Sequence, residues 1–525
     1  MKKTNVAPPH YKRSIAEMHR WSACRPNEAE IEYRDRPFRP ISQPGATMSR
    51  RPCAFFLFVL LVGLTGPLAA TAARPNIVFI YTDDQAPRAV AAAGDKRFIT
   101  PHIDKIFHQG AHLTNAFVTT PVCSPSRLGL ISSRYGSELG VTDWISPRAE
   151  KSLGLAEGTA TWPRLLAQAG YRTALCGKWH LGTRDRYHPT RFGYHEFMGI
   201  RTGGCPPKGA RLEMLDGTVR KVEGYTCDVF TDHALDFIRR QHSQSQVFAV
   251  SLHFRAPHAA WLPVRPEDWA PFKDLDPEIP KTAYDDIDVP RVKKWTREYL
   301  AAVKSVDRNV GRVLDLLDQL KLAETTIVIF TSDHGYNLGD HGVWYKGNAH
   351  WVRKPLPPRQ WKHIAPLRRP NMWDTSLKVP CAIRWPGVIK PGTKIPQTVS
   401  NLDWFPTLLA MAKVELPKSV TLRGRDFTPL LKGRDVPWNN DLYAEYSMHH
   451  GATTHMRVWR TPGWKYMRDF ANPGREELYD LAKDPNETRN LASSTRPEHL
   501  QIKKQLGQRI LGRMTELKDP ALPGR

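Results

Sequence analysis

Long repeats and low-complexity tracts are absent from this sequence, in which 41% of the residues are hydrophobic and 24% are charged. That composition is typical of a globular protein and excludes bulk intrinsic disorder. The length of 525 residues excludes a peptide hormone or small toxin and predicts about three domains. Acidic residues are scarce, with 52 against 76 lysines and arginines and a formal net charge of +24. This imbalance predicts attraction to polyanions, namely nucleic acid, anionic membranes, and sulfated or phosphorylated substrates.

The strongly apolar stretch near the N-terminus, Ala54 to Leu64, is short for a membrane span of about 20 residues. It follows two arginines and precedes a proline and a run of small residues, which is the pattern of a secretory signal peptide over residues 48–73. We therefore predict cleavage after Ala72 or Ala73, a periplasmic or secreted location, and no stable membrane anchor. The alternative is an uncleaved N-terminal anchor.

Residues 1–47 carry scattered charges and prolines without periodicity. Because a well-formed signal peptide begins at Met48, we interpret them as a mis-assigned N-terminal extension. Residues 1–73 hold 11 basic and five acidic side chains, so their removal lowers the net charge from +24 to +18. The basic character therefore belongs to the exported chain itself.

Cysteine is sparse as well, with seven in the whole chain and five after residue 73. An odd number in an exported protein indicates one unpaired or reactive thiol. Cys176 and Cys381 lie in apolar runs and are predicted core residues. Cys205 and Cys227 flank a loop rich in glycine and proline, and they either form a disulfide or belong to the free thiols. Cys123 lies in a polar, turn-forming stretch beside an arginine, a context that argues against burial as a small hydrophobe and makes it the candidate for the odd thiol.

Short apolar runs alternate with amphipathic segments over most of the chain, which predicts an α/β fold with a mainly parallel central sheet covered by helices. The strand candidates are residues 77–81, 172–175, 247–252, 327–330 and 380–383, and the helix candidates are residues 161–169, 228–240, 299–322 and 402–412. After Val414 the pattern changes to short strand candidates at 442–446, 456–459 and 464–467. We therefore predict a smaller C-terminal α+β subdomain over residues 415–525 that contains an antiparallel sheet.

Two of the predicted strands end in acidic residues. The first runs into Asp83 and Asp84, and another runs into Asp333 and His334. Because ligands bind at the carboxyl ends of parallel strands, both groups are expected at one crevice. Three clustered carboxylates repel one another unless a cation is present, and oxygen ligands favour Ca²⁺ or Mg²⁺. The alternative is that these acids cap the turns or helices that follow.

Several motifs, in this order along the chain, resemble those of the type I sulfatases of the alkaline phosphatase superfamily. They are Cys123-Ser124-Pro125-Ser126-Arg127, residues 177–182 (GKWHLG), Pro257-His258, Asp333-His334-Gly335, and residues 478–481 (LYDL). The family motif continues as Leu-x-Thr-Gly-Arg, where this chain has serine at both 132 and 133 before Arg134. The resemblance implies an alkaline phosphatase-like sheet and a sulfatase catalytic domain over residues 74–414.

In that family a dedicated formylglycine-generating enzyme oxidises the motif cysteine, here Cys123, to formylglycine. An aldehyde hydrates to a geminal diol, in which one hydroxyl attacks sulfur and the other later expels sulfate. The resemblance implies a Ca²⁺ site, with Mg²⁺ as the alternative, and a set of residues around it. The metal ligands are Asp83, Asp84, Cys123 as formylglycine, Asp333 and His334. The catalytic residues are Cys123, Arg127 and Lys178, which fix the formylglycine, His180 as the base, and His258 with Lys346, which bind sulfate and protonate the leaving oxygen.

Lys346 has two nearby rivals for its role, Arg353 and Lys354. It also begins a stretch up to Arg369 that contains seven basic residues, no acidic residue, and tryptophans at 351 and 361. Such a stretch suits either a polysulfated saccharide or a solvated basic loop.

The expected function is hydrolysis of sulfuric esters, with a sulfated carbohydrate or an aryl sulfate ester as the substrate. One alternative is a phosphonate monoester hydrolase or phosphodiesterase on the same scaffold. Another is a non-catalytic exported protein that binds polyanions. Nucleic acid is not an expected partner, because no nucleic-acid fold motif is present in the sequence.

Overall fold

The structure is a computed structural model that describes residues 74–95 and 98–524. The predicted extension (1–47) and signal peptide (48–73) lie outside the described residues, so both interpretations stay predictions. Within the described ranges, none of the helices combines the length and the apolar character that crossing a membrane requires.

Seventeen strands and eleven α-helices are present in the described residues. The strands are β1 Asn76–Thr82, β2 Ala111–Phe117, β3 Arg172–Lys178, β4 Glu196–Ile200, β5 Arg211–Glu213, β6 Val219–Lys221, β7 Phe248–His253, β8 Thr326–Ser332, β9 Asn337–Leu338, β10 Val343–Tyr345, β11 His350–Trp351, β12 Ala382–Arg384, β13 Thr393–Ser400, β14 Leu442–Tyr446, β15 Met456–Arg460, β16 Trp464–Asp469 and β17 Glu476–Asp480. The helices are α1 Pro101–Gln109, α2 Cys123–Ser132, α3 Gly136–Leu139, α4 Trp162–Gln168, α5 Thr226–Ser243, α6 Pro266–Trp269, α7 Val289–Gln319, α8 Asp374–Leu377, α9 Trp404–Met411, α10 Thr428–Leu431 and α11 Pro497–Leu517.

The central sheet has ten strands in the order β13-β2-β12-β8-β1-β7-β3-β4-β5-β6. The pairs β1–β7, β1–β8, β3–β7, β3–β4 and β2–β13 are parallel. The mainly parallel sheet predicted from the sequence is therefore confirmed. The strand predicted at 380–383 is the exception in direction, because β12 runs antiparallel to both β2 and β8.

Strand β1 lies at the centre of this sheet and is buried on both faces, which explains its nearly continuous apolar sequence. Its residues Ile77 and Phe79 belong to one hydrophobic core, and Val78 and Ile80 belong to a second core on the opposite face. Helices α2, α4 and α9 contribute side chains to the first core, and helices α1, α5 and α7 contribute to the second. The result is a sheet covered by helices on both sides, as predicted.

Beyond the central sheet, β14, β15, β16 and β17 form a four-stranded antiparallel sheet in sequence order. Helix α11 packs on it through Leu506, Ile510 and Met514, which share a core with Tyr466 and Leu478. This confirms a smaller α+β unit with an antiparallel sheet near the C-terminus. Its boundary at residue 415 stays a prediction.

All five cysteines of the described chain are free thiols. Cys176 and Cys381 are buried core residues, as predicted. Cys205 and Cys227 are half-buried and unpaired. Of the two alternatives for these residues, a disulfide or free thiols, the structure has the free thiols.

Candidate active site

The two acidic groups predicted from strand ends meet at one edge of the central sheet. Strands β1 and β8 are parallel neighbours with Thr82 opposite Ser332, so the residues that follow them are adjacent. The backbone N–H of Asp84 donates to Oδ1 of Asp333 over 3.3 Å. The side chains of Asp83, Asp84 and Asp333 are all fully buried.

Each of these three buried carboxylates is paired with one buried cation. The pairs are Asp83 with Lys178, Asp84 with Lys346 at 2.6 Å, and Asp333 with Arg127 at 2.9 Å. Lys178 is the last residue of β3, Arg127 lies on α2, and Lys346 follows β10. Because a buried charge is costly unless it is paired, the three ion pairs explain how the site tolerates so many charges.

Beyond these pairs, several polar atoms in the cluster have no hydrogen-bond partner in the described residues. They include Oδ1 of Asp83, Oδ2 of Asp84 and Nε2 of His334. The other ring nitrogen of His334, Nδ1, lies 3.0 Å from the carbonyl oxygen of Gly335. Donation from Nδ1–H to that carbonyl leaves Nε2 as an acceptor facing the carboxylates, 3.2 Å from Oδ1 of Asp333.

These unpartnered atoms fit a bound cation. One ligand atom from each of Asp83, Cys123, Asp333 and His334 lies within 4.8 Å of the others. Burial and the neighbouring Asp83 carboxylate raise the pKa of Asp333 to about 7, against the opposing effect of His334 and Arg127. Carboxylate oxygens are the ligands that Ca²⁺ and Mg²⁺ prefer, and an imidazole nitrogen is a less usual addition.

Cys123 is the first residue of α2 and is 4% exposed. Its neighbours Ser124, Ser126 and Arg127 are buried as well, so the thiol is buried beside polar side chains. Nζ of Lys346 lies 3.6 Å from its Sγ. Burial raises the pKa of the Cys123 thiol, but the ammonium groups of Lys178 and Lys346 outweigh it and hold the pKa well below the usual value.

Two histidines are placed on either side of this centre. Nε2 of His180 lies 3.1 Å from the carbonyl oxygen of Ile145. Its Nδ1 has no hydrogen-bond partner in the described residues, and the ring is near enough to the Cys123 thiol to lower its pKa. His258 lies at the opening of the site, where its side chain is 28% exposed and its Nε2 is 3.9 Å from Oδ2 of Asp84. Nδ1 of His258 lies 2.6 Å from the carbonyl oxygen of Ala259. Each ring is therefore oriented by one backbone carbonyl and presents its other nitrogen to the cluster.

The choice between Lys346 and its two rivals is decided by position. Arg353 pairs with Asp286 at 2.7 Å, and Lys354 is exposed. Only Lys346, among these three, reaches Asp84 and Cys123. The structure thus brings together every sequence-predicted site residue in one cluster.

The backbone at this cluster adopts conformations that non-glycine residues rarely take. Positive φ angles occur at Asp84 (71°), His180 (59°) and Tyr345 (76°). Such positions store local strain and concentrate at functional sites. Ser133, where the family motif has glycine, also has a positive φ of 55° as the C-cap of α2, a conformation that explains the preference for glycine at this place.

Sequence reasoning missed Gly203, which contacts the site from outside the recognised motifs. A Cβ atom added at this residue would lie 2.7 Å from Cε1 of His180. The Gly-Gly pair at 203–204 gave only a weak signal, because adjacent glycines are common in loops.

Comparisons with known proteins extend over most of the described chain. The family profile described as Sulfatase matches residues 75–414, and the profile described as N-sulphoglucosamine sulphohydrolase, C-terminal, matches residues 368–516. An N-acetylglucosamine-6-O-sulfatase of Bacteroides thetaiotaomicron is 25% identical over 543 residues, covering 87% of this chain and 89% of the relative. The steryl-sulfatase of Homo sapiens is 27% identical over 536 residues, covering 85% of this chain and 89% of the relative.

A solved structure described as a complex with its substrate D-glucosamine-2-N,6-O-disulfate has a TM-score of 0.73 at 23% sequence identity. The match covers 86% of this chain and 100% of that chain. At this level of identity, the likeness establishes a common fold.

Proposed function

Because the chain belongs to the sulfatase family and is a hydrolase of sulfuric esters, we propose that it removes sulfate from a sulfated carbohydrate by means of formylglycine formed from Cys123 and a bound Ca²⁺ ion. The observation that carries this proposal is the cluster in which Cys123 lies among three buried carboxylates, three buried cations and three oriented histidines. The names of one relative and of one substrate complex support a carbohydrate substrate.

The residues that would hold the metal are Asp83, Asp84, Asp333 and His334, together with the modified side chain of residue 123. When bound, the metal would act as a Lewis acid, and the hydrated aldehyde would provide the nucleophilic hydroxyl. The unpartnered oxygens of Asp83 and Asp84 support this ligand set. Mg²⁺ is the alternative ion.

In this proposal Arg127 and Lys178 fix the modified side chain of residue 123. Arg127 donates through Nη1 to the backbone carbonyl of Lys178 over 3.1 Å and through Nε to Asp333 over 3.0 Å. Its guanidinium also lies over the ring of Tyr81, with 5.1 Å to the centroid. These contacts make Arg127 a rigid group beside the nucleophile, as preorganised electrostatic stabilisation requires.

The two histidines have separate proton-transfer roles in this proposal. His180 uses Nε2–H to donate to Ile145 and keeps Nδ1 as an acceptor beside residue 123, so it takes the proton from the hydroxyl that remains after sulfate transfer. His258 donates through Nδ1–H to Ala259, so it acts as the acid through a proton on Nε2. Burial and the Lys346 ammonium lower the pKa of His258, while Asp83 and Asp84 oppose that effect.

Lys346 binds the charged group of the substrate. Its ammonium lies between Asp84 and Cys123, at 2.6 Å and 3.6 Å respectively, where negative charge on a transferring sulfate would accumulate. An ammonium fixed at that place before substrate arrives stabilises this charge without reorganisation.

Mass spectrometry of the proteolytic peptide spanning Cys123 tests the proposal, on protein produced together with a formylglycine-generating enzyme. We expect an aldehyde at residue 123 and hydrolysis of sulfated sugars that Cys123→Ala abolishes. Cys176→Ala is the matched control, because this buried thiol lies on the opposite face of the sheet, in the second core, and should leave turnover intact. An unmodified thiol at residue 123, or turnover that survives Cys123→Ala, would refute the proposal that formylglycine at residue 123 is the nucleophile.

The alternative activities are separated by substrate and by binding. A phosphonate monoester hydrolase would process an aryl phosphonate ester faster than the aryl sulfate ester. A non-catalytic polyanion-binding protein would bind sulfated sugars equally well with cysteine or alanine at residue 123 and would show no turnover in either form.

A further inference from the structure

A cavity of about 460 Å³ lies outside the catalytic cluster. One wall is the segment that follows β11, including Arg359, Trp361 and Arg368, and the other wall is formed by the β16–β17 turn and by Lys503 of α11. We call this cavity the basic pocket. Its volume is in the range of pockets that bind small ligands.

The basic pocket carries positive charge that no carboxylate of the described chain neutralises. Its two glutamates are already paired, Glu477 with Arg369 at 2.6 Å and Glu476 with Lys503 at 2.6 Å. Arg359 and Arg368, by contrast, form no ion pair within the described residues, and the contacts of Arg359 are to backbone carbonyls. The pocket therefore has two arginines available for an anionic ligand.

Arg368 lies between the basic pocket and the segment that follows Lys346. It lines the pocket, and its charge also acts on Tyr446 and Tyr345, of which Tyr345 directly precedes Lys346. Nη1 of Arg368 donates to the carbonyl oxygen of Asn348 over 3.3 Å. Arg368 thus joins the pocket lining to the residues that follow Lys346.

The segment that lines the pocket begins and ends at the active site. The segment starts at Lys346, which contacts Cys123, and the backbone N–H of Gly347 donates to the carbonyl oxygen of Pro121 over 3.1 Å. At the end of the segment, the side-chain amide of Asn371 donates to the carbonyl oxygen of Lys346 over 3.0 Å. Both ends of the segment that lines the pocket are therefore anchored at the cluster by direct contacts.

An aromatic side chain completes the pocket. Trp361 is half-buried, and no aromatic ring or cation of the described part of the chain stacks on it. Gly474 lies beside the indole edge, where a Cβ added to it would be 4.0 Å from Cη2 of Trp361. A large, flat, apolar surface next to unpaired arginines suits a ring that carries anionic substituents.

We propose that the basic pocket is a second saccharide subsite, which binds a further anionic sugar of the same polysulfated chain whose sulfate enters the catalytic cluster. This proposal rests on the proposed function and narrows its substrate class to oligosaccharides with at least two anionic sugars. Trp361 stacks on the second sugar ring, Arg359 binds its sulfate or carboxylate, and Arg368 binds at the junction between the two sugars.

Binding to full-length Cys123→Ala protein, which is not expected to turn over substrate, tests the subsite by calorimetry. The probes are a heparin-derived hexasaccharide and the monosaccharide D-glucosamine 6-sulfate. We expect Arg359→Ala and Trp361→Ala each to raise the Kd of the hexasaccharide about tenfold, as the loss of one charge-assisted or stacking contact predicts. Trp361→Phe should recover most of the loss, and the Kd of the monosaccharide should change less than about twofold.

Lys418→Ala is the matched control, because it removes an exposed positive charge that does not line the pocket. It should leave both affinities within about twofold of the parent. Three results would overturn the subsite: a wild-type pocket that binds the hexasaccharide no more tightly than the monosaccharide, an unchanged hexasaccharide Kd in both pocket variants, or equal losses in Lys418→Ala. Because no step of this experiment needs hydrolysis, a failure of the proposed chemistry would be seen separately, in turnover by the modified enzyme.

Discussion

Replacement of His258 by alanine should slow the hydrolysis of esters with poor leaving groups far more than that of activated aryl esters. The leaving oxygen of a sugar sulfate needs a proton as the S–O bond breaks, whereas a nitrophenolate leaves without one. The structure places Nε2 of His258 at the opening of the cluster, while Nδ1 is held by Ala259 at 2.6 Å. His258 is therefore oriented to donate to an incoming ester.

The expected magnitude follows from the role and from the contacts that are lost. General acid catalysis contributes about 10²- to 10⁴-fold in rate, which is about 2.7 to 5.5 kcal/mol of transition-state stabilisation. A structural contribution should be small, because Asp84 keeps its Lys346 partner at 2.6 Å and the contact with His258 is 3.9 Å. The variant should therefore fold normally and lose less than about 1 kcal/mol of stability.

The assay is a series of substituted aryl sulfates and one sugar sulfate, with kcat/KM plotted against the pKa of the leaving group. For His258→Ala we expect a steeper dependence than for wild type, with less than about a tenfold loss on 4-nitrophenyl sulfate. His363→Ala, which changes an exposed histidine, is the control and should leave the dependence unchanged. Parallel lines for wild type and His258→Ala, with equal losses on all esters, would refute the acid role.

Three further predictions concern the rest of the site and the sheet. Gly203→Ala should lower kcat on all esters alike, because the added Cβ would lie 2.7 Å from the His180 ring. Gly204→Ala, whose added Cβ has no atom within 4 Å, should be neutral in the same assay. Equal effects of the two substitutions would contradict the steric reasoning. Thorough chelation of divalent metal should abolish turnover. Addition of Ca²⁺ at about 100 times its Kd should restore turnover and stabilise the protein by about 2.7 kcal/mol in thermal unfolding. Full activity after chelation would contradict the metal proposal. Burial, with help from two lysines, lowers the pKa of His112 to about 4, so the unfolded chain takes up this proton near pH 6.5 and the folded chain only near pH 4. The contribution of His112 to stability should therefore be constant above pH 6.5 and become increasingly unfavourable between those values. His112→Asn should reduce the loss of stability in thermal melts from pH 7.5 to 4.5.

Much of the fold could be predicted from the sequence because its central strands are buried on both faces. Strand β8 is buried over its whole length, so its apolar run is easily recognised. Strands β2 and β13 were missed because polar side chains interrupt them, as the half-buried Thr114 and Asn115 of β2 show. The antiparallel direction of β12 has no local signature either, because it depends on which strands lie beside it.

The site was predictable where its residues follow strands and uncertain where they come from loops. Asp83 and Asp333 follow neighbouring parallel strands, so their proximity is a property of the sheet. Lys346 could not be distinguished from Arg353 in the sequence, because only the folded loop shows that Arg353 pairs with Asp286. The pairing of each carboxylate with one cation likewise depends on five separate segments, which no local pattern connects.

The burial of Cys123 has a consequence for the order of events during biosynthesis. In the folded protein its side chain is covered, in part by Lys346, a residue 223 positions later in the chain. At about 5 to 20 residues per second, a ribosome needs on the order of 10 to 45 s to synthesise that interval. Strand β1, which carries Asp83, must also wait for β7 and β8 before it has neighbours on both sides. The proposed oxidation of Cys123 therefore takes place during this interval, or later while the chain is still held unfolded. In a chain that folds around Cys123 before oxidation, residue 123 would remain a thiol for the rest of the lifetime of the protein.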